Sequence, residues 1–236
     1  MAILEKIKII IEEDGMLDYV NVYGEKTHDY IFKNEIVLKA GNIYGIICEQ
    51  GAGGEGISQL LTNNKIHIEK NFFIDETETK DIYDISWYVG KPILCKNIMK
   101  KELSVQKALE YAIKKYNRYT DIDSILEEFH LSQDKINYGL TNNSEWEKWR
   151  ASFAIGYASK KKIYCFPWMD SMFFYDCMYN SSVFRFFKKI TKENGIIILP
   201  TSREQNVRHL ADVVIKLKCN RFEHCIADTE YFKKYF

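Results

Sequence analysis

The feature that most constrains the fold is a glycine-rich loop between an apolar run and the start of a helix. The run Ile43–Ile47 has the length and composition of a fully buried strand. It leads directly into residues 48–56, Cys-Glu-Gln-Gly-Ala-Gly-Gly-Glu-Gly, and Ile57–Leu61 then begins a helix. Strand, glycine-rich loop and helix together form the architecture of a phosphate-binding loop, in which backbone N–H groups and the helix dipole attract an anion.

The segments before the loop predict an antiparallel sheet. Short apolar runs alternate with turn residues at Ile7–Glu12, Leu17–Tyr23 and Ile36–Ala40. This spacing is typical of short strands joined by tight turns.

The segments after the loop predict helices and then a return to strands. Helical spacing of apolar residues extends over Leu103–Tyr116, Ile122–Leu131 and Glu147–Ala158. Two later apolar runs, Ile163–Phe166 and Ile196–Leu199, are typical of buried strands, and a helix over Val183–Lys192 separates them. Buried strands separated by helices predict an α/β fold with a parallel sheet and right-handed crossovers.

The composition narrows the classes of function. Lys+Arg and Asp+Glu balance at 33 each in 236 residues, so no net field attracts nucleic acid or anionic lipid. No apolar run approaches the about 20 residues that span a bilayer, and the acidic N-terminus does not fit a signal peptide. We therefore expect a cytoplasmic protein. Because the six cysteines and five histidines are scattered, we expect neither a metal site nor a disulfide.

The order of these segments resembles the nucleotide-binding domain of ABC transporters, and four stretches match it over essentially the whole chain. Tyr23-Gly24 stands where the family has its adenine-stacking aromatic residue. Residues 45–56 stand where the family reads a close relative of G-L-x-G-x-N-G-A-G-K-S-T. Residues 144–160 parallel the signature helix that begins S-G-G-E/Q-x-Q-R. Thr201-Ser202 and residues 210–217 parallel the closing T-H…L-A-D-x-V-I-V-L.

The resemblance implies a P-loop NTPase-like fold with two lobes. The core lobe, a parallel sheet plus an antiparallel β subdomain, would comprise about 1–85 and 160–236, and an α-helical subdomain would be inserted at about 90–158. By position, the nucleotide site would consist of Tyr23, Gly51, Ala52, Gly53, Gly54, Glu55, Gly56 and Lys91.

The loop lacks the side chains that this family uses to bind Mg²⁺-ATP. The family's phosphate-binding lysine and Mg²⁺-binding hydroxyl residue align with Gly54 and Glu55 of this chain. A Glu55 carboxylate facing a phosphate at about 4 Å would repel it by roughly 4 kcal/mol at an effective dielectric near 20. We therefore expect no cofactor, with ATP and Mg²⁺ at most weakly bound and Tyr23 as the main surviving contact. Replacing Gly54 with Lys and Glu55 with Ser is expected to raise binding without restoring hydrolysis.

The carboxylates that close the Walker B strand of this family are also missing. The family's spacing between the signature serine and the Walker B aspartate, counted from Ser144, places that aspartate on Phe166 or Pro167. We choose Pro167, because Ser171 then matches the serine that follows Walker B in the family. The metal-binding aspartate and the water-polarising glutamate are thus replaced by Pro167 and Trp168, which can neither bind metal nor accept a proton.

The remaining positions have changed as well. Lys91 replaces the glutamine that senses the γ-phosphate, and Ser202 replaces the switch histidine. After Ser144, the two signature glycines are Glu145 and Trp146, and Glu147 follows them. The resemblance therefore implies a cassette that has kept the fold and lost every catalytic position.

Three hypotheses for function follow. The first is a degenerate, non-hydrolysing cassette subunit with a structural or regulatory role, paired with itself, a competent ATPase subunit or a permease that would hold it at the inner face of the membrane. The alternative is a free-standing cytoplasmic scaffold or regulatory protein with this fold. The third is an active ATPase with a relocated carboxylate, Asp170 or Glu147.

The aromatic residues near the signature and Walker B positions suggest a protein interface. Trp146, Trp168 and Phe174 are the candidate anchors, because aromatic side chains dominate the energetics of many interfaces. If Trp146 is such an anchor, alanine there is expected to weaken association by roughly 2 kcal/mol.

Overall fold

The computed structural model describes residues 4–95 and 101–217. The strands in this part are β1 (Lys6–Ile11), β2 (Gly15–Val20), β3 (Lys26–Ile31), β4 (Asn34–Lys39), β5 (Ile43–Ile47), β6 (Lys70–Ile74), β7 (Thr77–Glu78), β8 (Ser86–Tyr88), β9 (Ile163–Cys165), β10 (Ile196–Thr201) and β11 (Val213–Lys216). The helices are α1 (Gly54–Thr62), α2 (Ile82–Ile85), α3 (Val105–Tyr116), α4 (Ile122–Phe129), α5 (Glu145–Ala158), α6 (Ser171–Tyr175), α7 (Phe187–Lys192) and α8 (Glu204–Val207).

The central sheet is parallel, as the buried apolar runs predict. Its strand order is β11-β5-β10-β9-β8, and every neighbouring pair is parallel. All residues of β9 and β10 are buried, because helices cover both faces of such a sheet. The carboxyl ends of β5, β9 and β10 therefore meet at one edge, where the glycine-rich loop begins.

A second sheet is antiparallel, with the order β4-β1-β6-β7, and β2 and β3 form a separate two-stranded hairpin. The hairpin differs from the prediction of a strand over Leu17–Tyr23, since β2 ends at Val20. The side-chain carbonyl of Asn21 accepts hydrogen bonds from the N–H groups of Tyr23 and Glu25. This side-chain turn reverses the chain and places Tyr23 in the hairpin loop.

Helices α1 and α5 each begin earlier than the apolar pattern predicts. α1 begins at Gly54 and not at Ile57, and α5 begins at Glu145, where Ser144 accepts a hydrogen bond from the N–H of Glu147. Glycine-rich and polar first turns carry no apolar stripe, so periodicity does not detect them.

The remaining helical predictions are confirmed with shifted ends. Helices α3, α4 and α5 pack against one another, and Phe129 and Phe153 are fully buried there. The helix predicted over Val183–Lys192 is a 3-10 turn at Val183–Phe186 followed by α7. The division of the chain into two lobes stays a prediction.

Three further observations concern residues 4–95 and 101–217. No helix there has the length and apolar character to cross a membrane. No group of three or more His, Cys, Asp and Glu side chains in this part could hold a metal ion. Cys48, Cys95, Cys165 and Cys177 are in the thiol form, with no disulfide bond between them. Cys219 and Cys225 lie outside the described residues.

Candidate functional site at the phosphate loop

A buried aspartate occupies the anion-binding side of the glycine-rich loop. The Asp29 carboxylate accepts hydrogen bonds from the N–H of Gly53 at 2.7 Å and from the N–H of Gly56 at 2.6 Å. These N–H groups belong to the loop and to the first turn of α1, where a phosphate-binding loop presents its donors to an anion. The chain therefore supplies its own anion to the loop.

Asp29 reaches the loop because the β2–β3 hairpin folds over it. Asp29 and Ile31 share the buried face of β3, and the N–H of Tyr30 donates to the carbonyl of Gly51. Asp29 is 1% exposed. Burial raises the pKa of its carboxyl group, although the N–H groups of the loop oppose the shift.

The Glu55 side chain contacts β8 and the residues that follow β9. Its carboxylate accepts a hydrogen bond from Tyr88 Oη at 2.5 Å and another from the N–H of Trp168 at 3.2 Å. Burial is the main cause of its raised pKa. These two donors hold the Glu55 side chain between β8 and the residues after β9, where it lines a cleft beside the loop. That Glu55 faces the phosphate position stays a prediction.

Gly54, predicted to stand at the position of the family's lysine, has no room for a side chain unless a neighbour moves. A Cβ on Gly54 would lie 2.4 Å from Cys48 Sγ and 3.2 Å from Pro200 Cβ. In the Gly54→Lys, Glu55→Ser protein, the lysine would first have to displace the buried Cys48 thiol. The improvement in binding expected from this pair of substitutions stays a prediction.

Tyr23 is half-exposed, but its ring already has partners within the chain. Lys148 Nζ lies 4.4 Å from the centre of the Tyr23 ring, and the Phe173 ring centre lies 6.1 Å from it. Lys148 also approaches the carbonyl of Val22 at 3.5 Å. Helix α5 thereby contacts the hairpin turn at the residue predicted to stack on adenine.

The solved structures reported below, which have a similar fold, are ATP-binding proteins of ABC transporters. CbiO1 from Clostridium perfringens, part of the ABC transporter complex CbiONQ, is 17% identical with a TM-score of 0.59, and the match covers 98% of this chain and 94% of that one. A putative ABC transporter ATP-binding protein from Pyrococcus furiosus is 16% identical with a TM-score of 0.60 and coverages of 90% and 97%. The ATP-binding cassette MJ0796, in a dimeric structure bound to ADP and Pi, is 16% identical with a TM-score of 0.60 and coverages of 90% and 94%.

This chain has the fold of an ABC ATP-binding cassette. The likeness extends over nearly the whole chain at low sequence identity. No protein-family model matches the sequence, and no curated protein does.

The cassette fold brings several of the predicted site residues together. A cleft beside the loop is lined in part by Tyr23, Glu55, Pro167 and Trp168. Ser202 follows β10, and its N–H donates to the carbonyl of Met169. Lys91, predicted at the γ-phosphate-sensing position, is half-buried, and its Nζ lies 6.0 Å from the centre of the Tyr88 ring. It does not line this cleft.

Of the residues predicted at the signature position, Glu147 contributes to the packing of α5. Glu147 is buried, and its carboxylate binds Arg150 Nη2 at 2.7 Å and accepts a hydrogen bond from the N–H of Ser132. Glu147, one of the two candidate relocated carboxylates, is therefore held by contacts within the helical part of the chain. Asp170, the other candidate carboxylate, is exposed and caps α6 by accepting from the N–H of Phe173.

The three candidate interface anchors have different environments. Trp146 is 55% exposed, as an anchor must be before its partner binds. Trp168 is half-buried, and its Nε1 donates to the carbonyl of Cys48 at 3.1 Å. Phe174 is 1% exposed, so its assignment as an anchor is wrong. Met172 and Tyr175, on the same short helix, are exposed instead.

Asp29 was missed by the sequence analysis because β3 was not predicted. Its strand, Lys-Thr-His-Asp-Tyr-Ile, has one aliphatic residue and no clear alternation. The one usable signal is that Asp29 lies two positions before Ile31, on the same face of any strand. Tyr88 and Lys148 were missed because their roles depend on contacts distant in sequence.

The buried Glu55 makes a testable contribution to the pH dependence of stability. Burial raises the pKa of Glu55 in the folded state. The protonated Glu55 side chain therefore stabilises the folded protein fully below the unfolded-state pKa of about 4.3, and this stabilisation is lost as the pH rises through the folded-state pKa. Glu55→Gln removes this pH-dependent loss of stability, because glutamine does not titrate. Its amide can still donate to Tyr88 Oη and accept a hydrogen bond from the N–H of Trp168. We expect the stability gain of the variant over wild type to be larger at pH 7.5 than at pH 5.

Urea unfolding at the two pH values measures this difference. The matched control is the same substitution at the exposed Glu25. An equal effect of Glu55→Gln at both pH values would show that Glu55 does not titrate with a raised pKa in the folded protein.

Proposed function

We propose that this chain is a non-hydrolysing ABC cassette subunit with a structural or regulatory role beside a permease, a competent ATPase subunit or both. The observation that carries the proposal is the position of Asp29. A phosphate would have to compete with a covalently tethered carboxylate for the N–H groups of Gly53 and Gly56. Like charge adds repulsion to this competition.

The groups that would perform hydrolysis are replaced throughout the site. Gly54 and Cys48 leave no space for a phosphate-binding lysine. Pro167 and Trp168 offer neither a metal ligand nor a base at the carboxyl end of β9. Phosphoryl transfer depends on positioning and on neutralising the charge of the phosphates. None of the described residues that line this cleft is a lysine, arginine or histidine that could neutralise that charge directly.

The proposed partners are suggested by the assemblies that contain the similar proteins. CbiO1 is part of an ABC transporter complex, and MJ0796 has a dimeric structure. We infer that this chain is likewise a component of an assembly, at the cytoplasmic face of a membrane, in which it holds or regulates other subunits without supplying energy.

The purified protein is expected to show no Mg²⁺-dependent ATP hydrolysis above background and no saturable ATP binding up to millimolar concentrations. Steady-state phosphate release and titration calorimetry measure the two properties, with a competent ABC cassette as the positive control. Phosphate release that disappears in Glu55→Gln would mean that this chain hydrolyses ATP, and the proposal would then be abandoned.

A further inference from the structure

The cleft beside the loop has the chemistry of a cation site. It has a volume of about 280 Å³, and three aromatic rings, of Tyr23, Trp168 and Phe173, line it. Three carboxylates, of Glu25, Glu55 and Asp170, line it as well. None of the described residues that line it is lysine, arginine or histidine.

An ammonium group already lies against one of these rings. Lys148 Nζ is 4.4 Å from the centre of the Tyr23 ring and 5.2 Å from that of Trp149. Aromatic faces attract cations because the ring quadrupole is negative above its plane. The Tyr23 ring thus accepts a cation in this structure, and the cleft presents two more rings nearby.

The charges around the cleft favour a second cation. Lys148 Nζ lies 3.9 Å from a carboxylate oxygen of Glu145, so the lysine has an acidic neighbour of its own. Glu25 accepts one hydrogen bond from Asn21, and Asp170 accepts one from the N–H of Phe173. A carboxylate has about four acceptor sites, so both retain the capacity to bind a donor from a ligand.

We propose that this cleft binds a small organic cation, through an alkylammonium or guanidinium group that contacts the Tyr23 ring and the carboxylates of Glu25 and Asp170. The volume lies just below the about 300 Å³ at which pockets for drug-sized ligands begin, which suits a small cation better than a nucleotide. The inference goes beyond the proposed cassette function and does not depend on it. The cleft lies where the resemblance predicts a nucleotide site, so its ligand would carry a positive charge in place of the negative charge of a nucleotide's phosphates.

Choline is the first probe, and N-acetyl-arginine amide is the second, so that the ammonium and guanidinium classes are tested separately. We expect saturable binding of at least one of them by titration calorimetry or NMR. The uncharged analogue of choline, 3,3-dimethylbutan-1-ol, has nearly the same shape and is expected to bind at least about tenfold more weakly, because cation–π and carboxylate contacts require the charge.

Two variants test the contacts. Tyr23→Leu removes the ring and is expected to weaken binding by about fivefold or more. Asp170→Asn keeps the cap of α6, because asparagine caps helices as well as aspartate does, and is expected to weaken binding by a similar factor. The exposed Tyr138→Leu and Asp134→Asn are the matched controls, and circular dichroism checks that each variant is folded.

The outcomes separate this inference from the proposed function. Saturable binding that both variants weaken supports the cation site, whatever the chain does with ATP. Binding of neither probe, equal binding of the uncharged analogue, or binding that neither variant weakens would overturn it. ATP hydrolysis by the chain would overturn the proposed function alone.

Discussion

Asp29→Ala is expected to destabilise the protein by about 2–4 kcal/mol and to create an anion site at the same place. The substitution leaves the N–H groups of Gly53 and Gly56 without the carboxylate that binds them. Each buried donor without a partner costs about 1–3 kcal/mol. These donors lie at a helix N-terminus, so a dissolved anion of suitable size can replace the lost side chain.

Urea unfolding in increasing concentrations of inorganic phosphate measures both effects. A ligand at 100 times its dissociation constant stabilises the folded state by about 2.7 kcal/mol. The variant should therefore regain a large part of its lost stability in phosphate, whereas wild type should respond much less. Chloride at equal ionic strength separates specific binding from screening.

Asp18→Ala is the matched control, because Asp18 lies on the same hairpin and is exposed. It should change the stability little and create no response to phosphate. If Asp29→Ala were as stable as wild type, or if phosphate stabilised both proteins equally, Asp29 would not be the group that fills the loop.

Gly54→Ala is expected to destabilise the protein by about 1–3 kcal/mol, and Cys48→Gly is expected to relieve most of that loss. The new Cβ would lie 2.4 Å from Cys48 Sγ, and overpacking of a buried site costs energy of this order. Glycine at position 48 removes the thiol and leaves the backbone in place. The two effects should therefore not add, with a coupling energy of about 1–3 kcal/mol.

A double-mutant cycle by urea unfolding measures this coupling. Additive effects of the two substitutions would show that the thiol is not what excludes a side chain at position 54. The ABC-family pattern has glycine where this chain has Cys48 and lysine where it has Gly54. We therefore expect that a lysine at position 54 alone does not restore anion binding by the loop, because Cys48 and Asp29 would both still occupy the space and the donors it needs.

The elements with strong apolar patterns were predictable from the sequence. The buried runs of β5, β9 and β10 are local signals, because burial on both faces of a parallel sheet requires continuous apolar residues. The helical stripe of α3 is local as well. The short strand β8 and the polar strand β3 carry no such pattern, so they went unpredicted.

For the candidate site, the sequence predicted which positions along the chain take part, but not how their side chains are oriented. The resemblance predicts which residues stand at the catalytic positions of the ABC family, and the sequence places the glycine-rich loop after β5. It does not show where side chains point. The sequence did not predict that Glu55 accepts hydrogen bonds from Tyr88 Oη and from the N–H of Trp168, because both donors are distant from it along the chain. Phe174 was expected at the surface and is buried.

The sequence by itself determined the cassette-like order of strands, loop and helices, and its resemblance to the ABC family predicts which residues stand at the catalytic positions of that family. Both follow from residue type and from spacing along the chain. Only the tertiary structure decided what fills the loop, because Asp29 lies 24 residues before Gly53 and meets it through the hairpin. A hydrogen bond between distant residues depends on how the whole chain packs, and no local pattern encodes it.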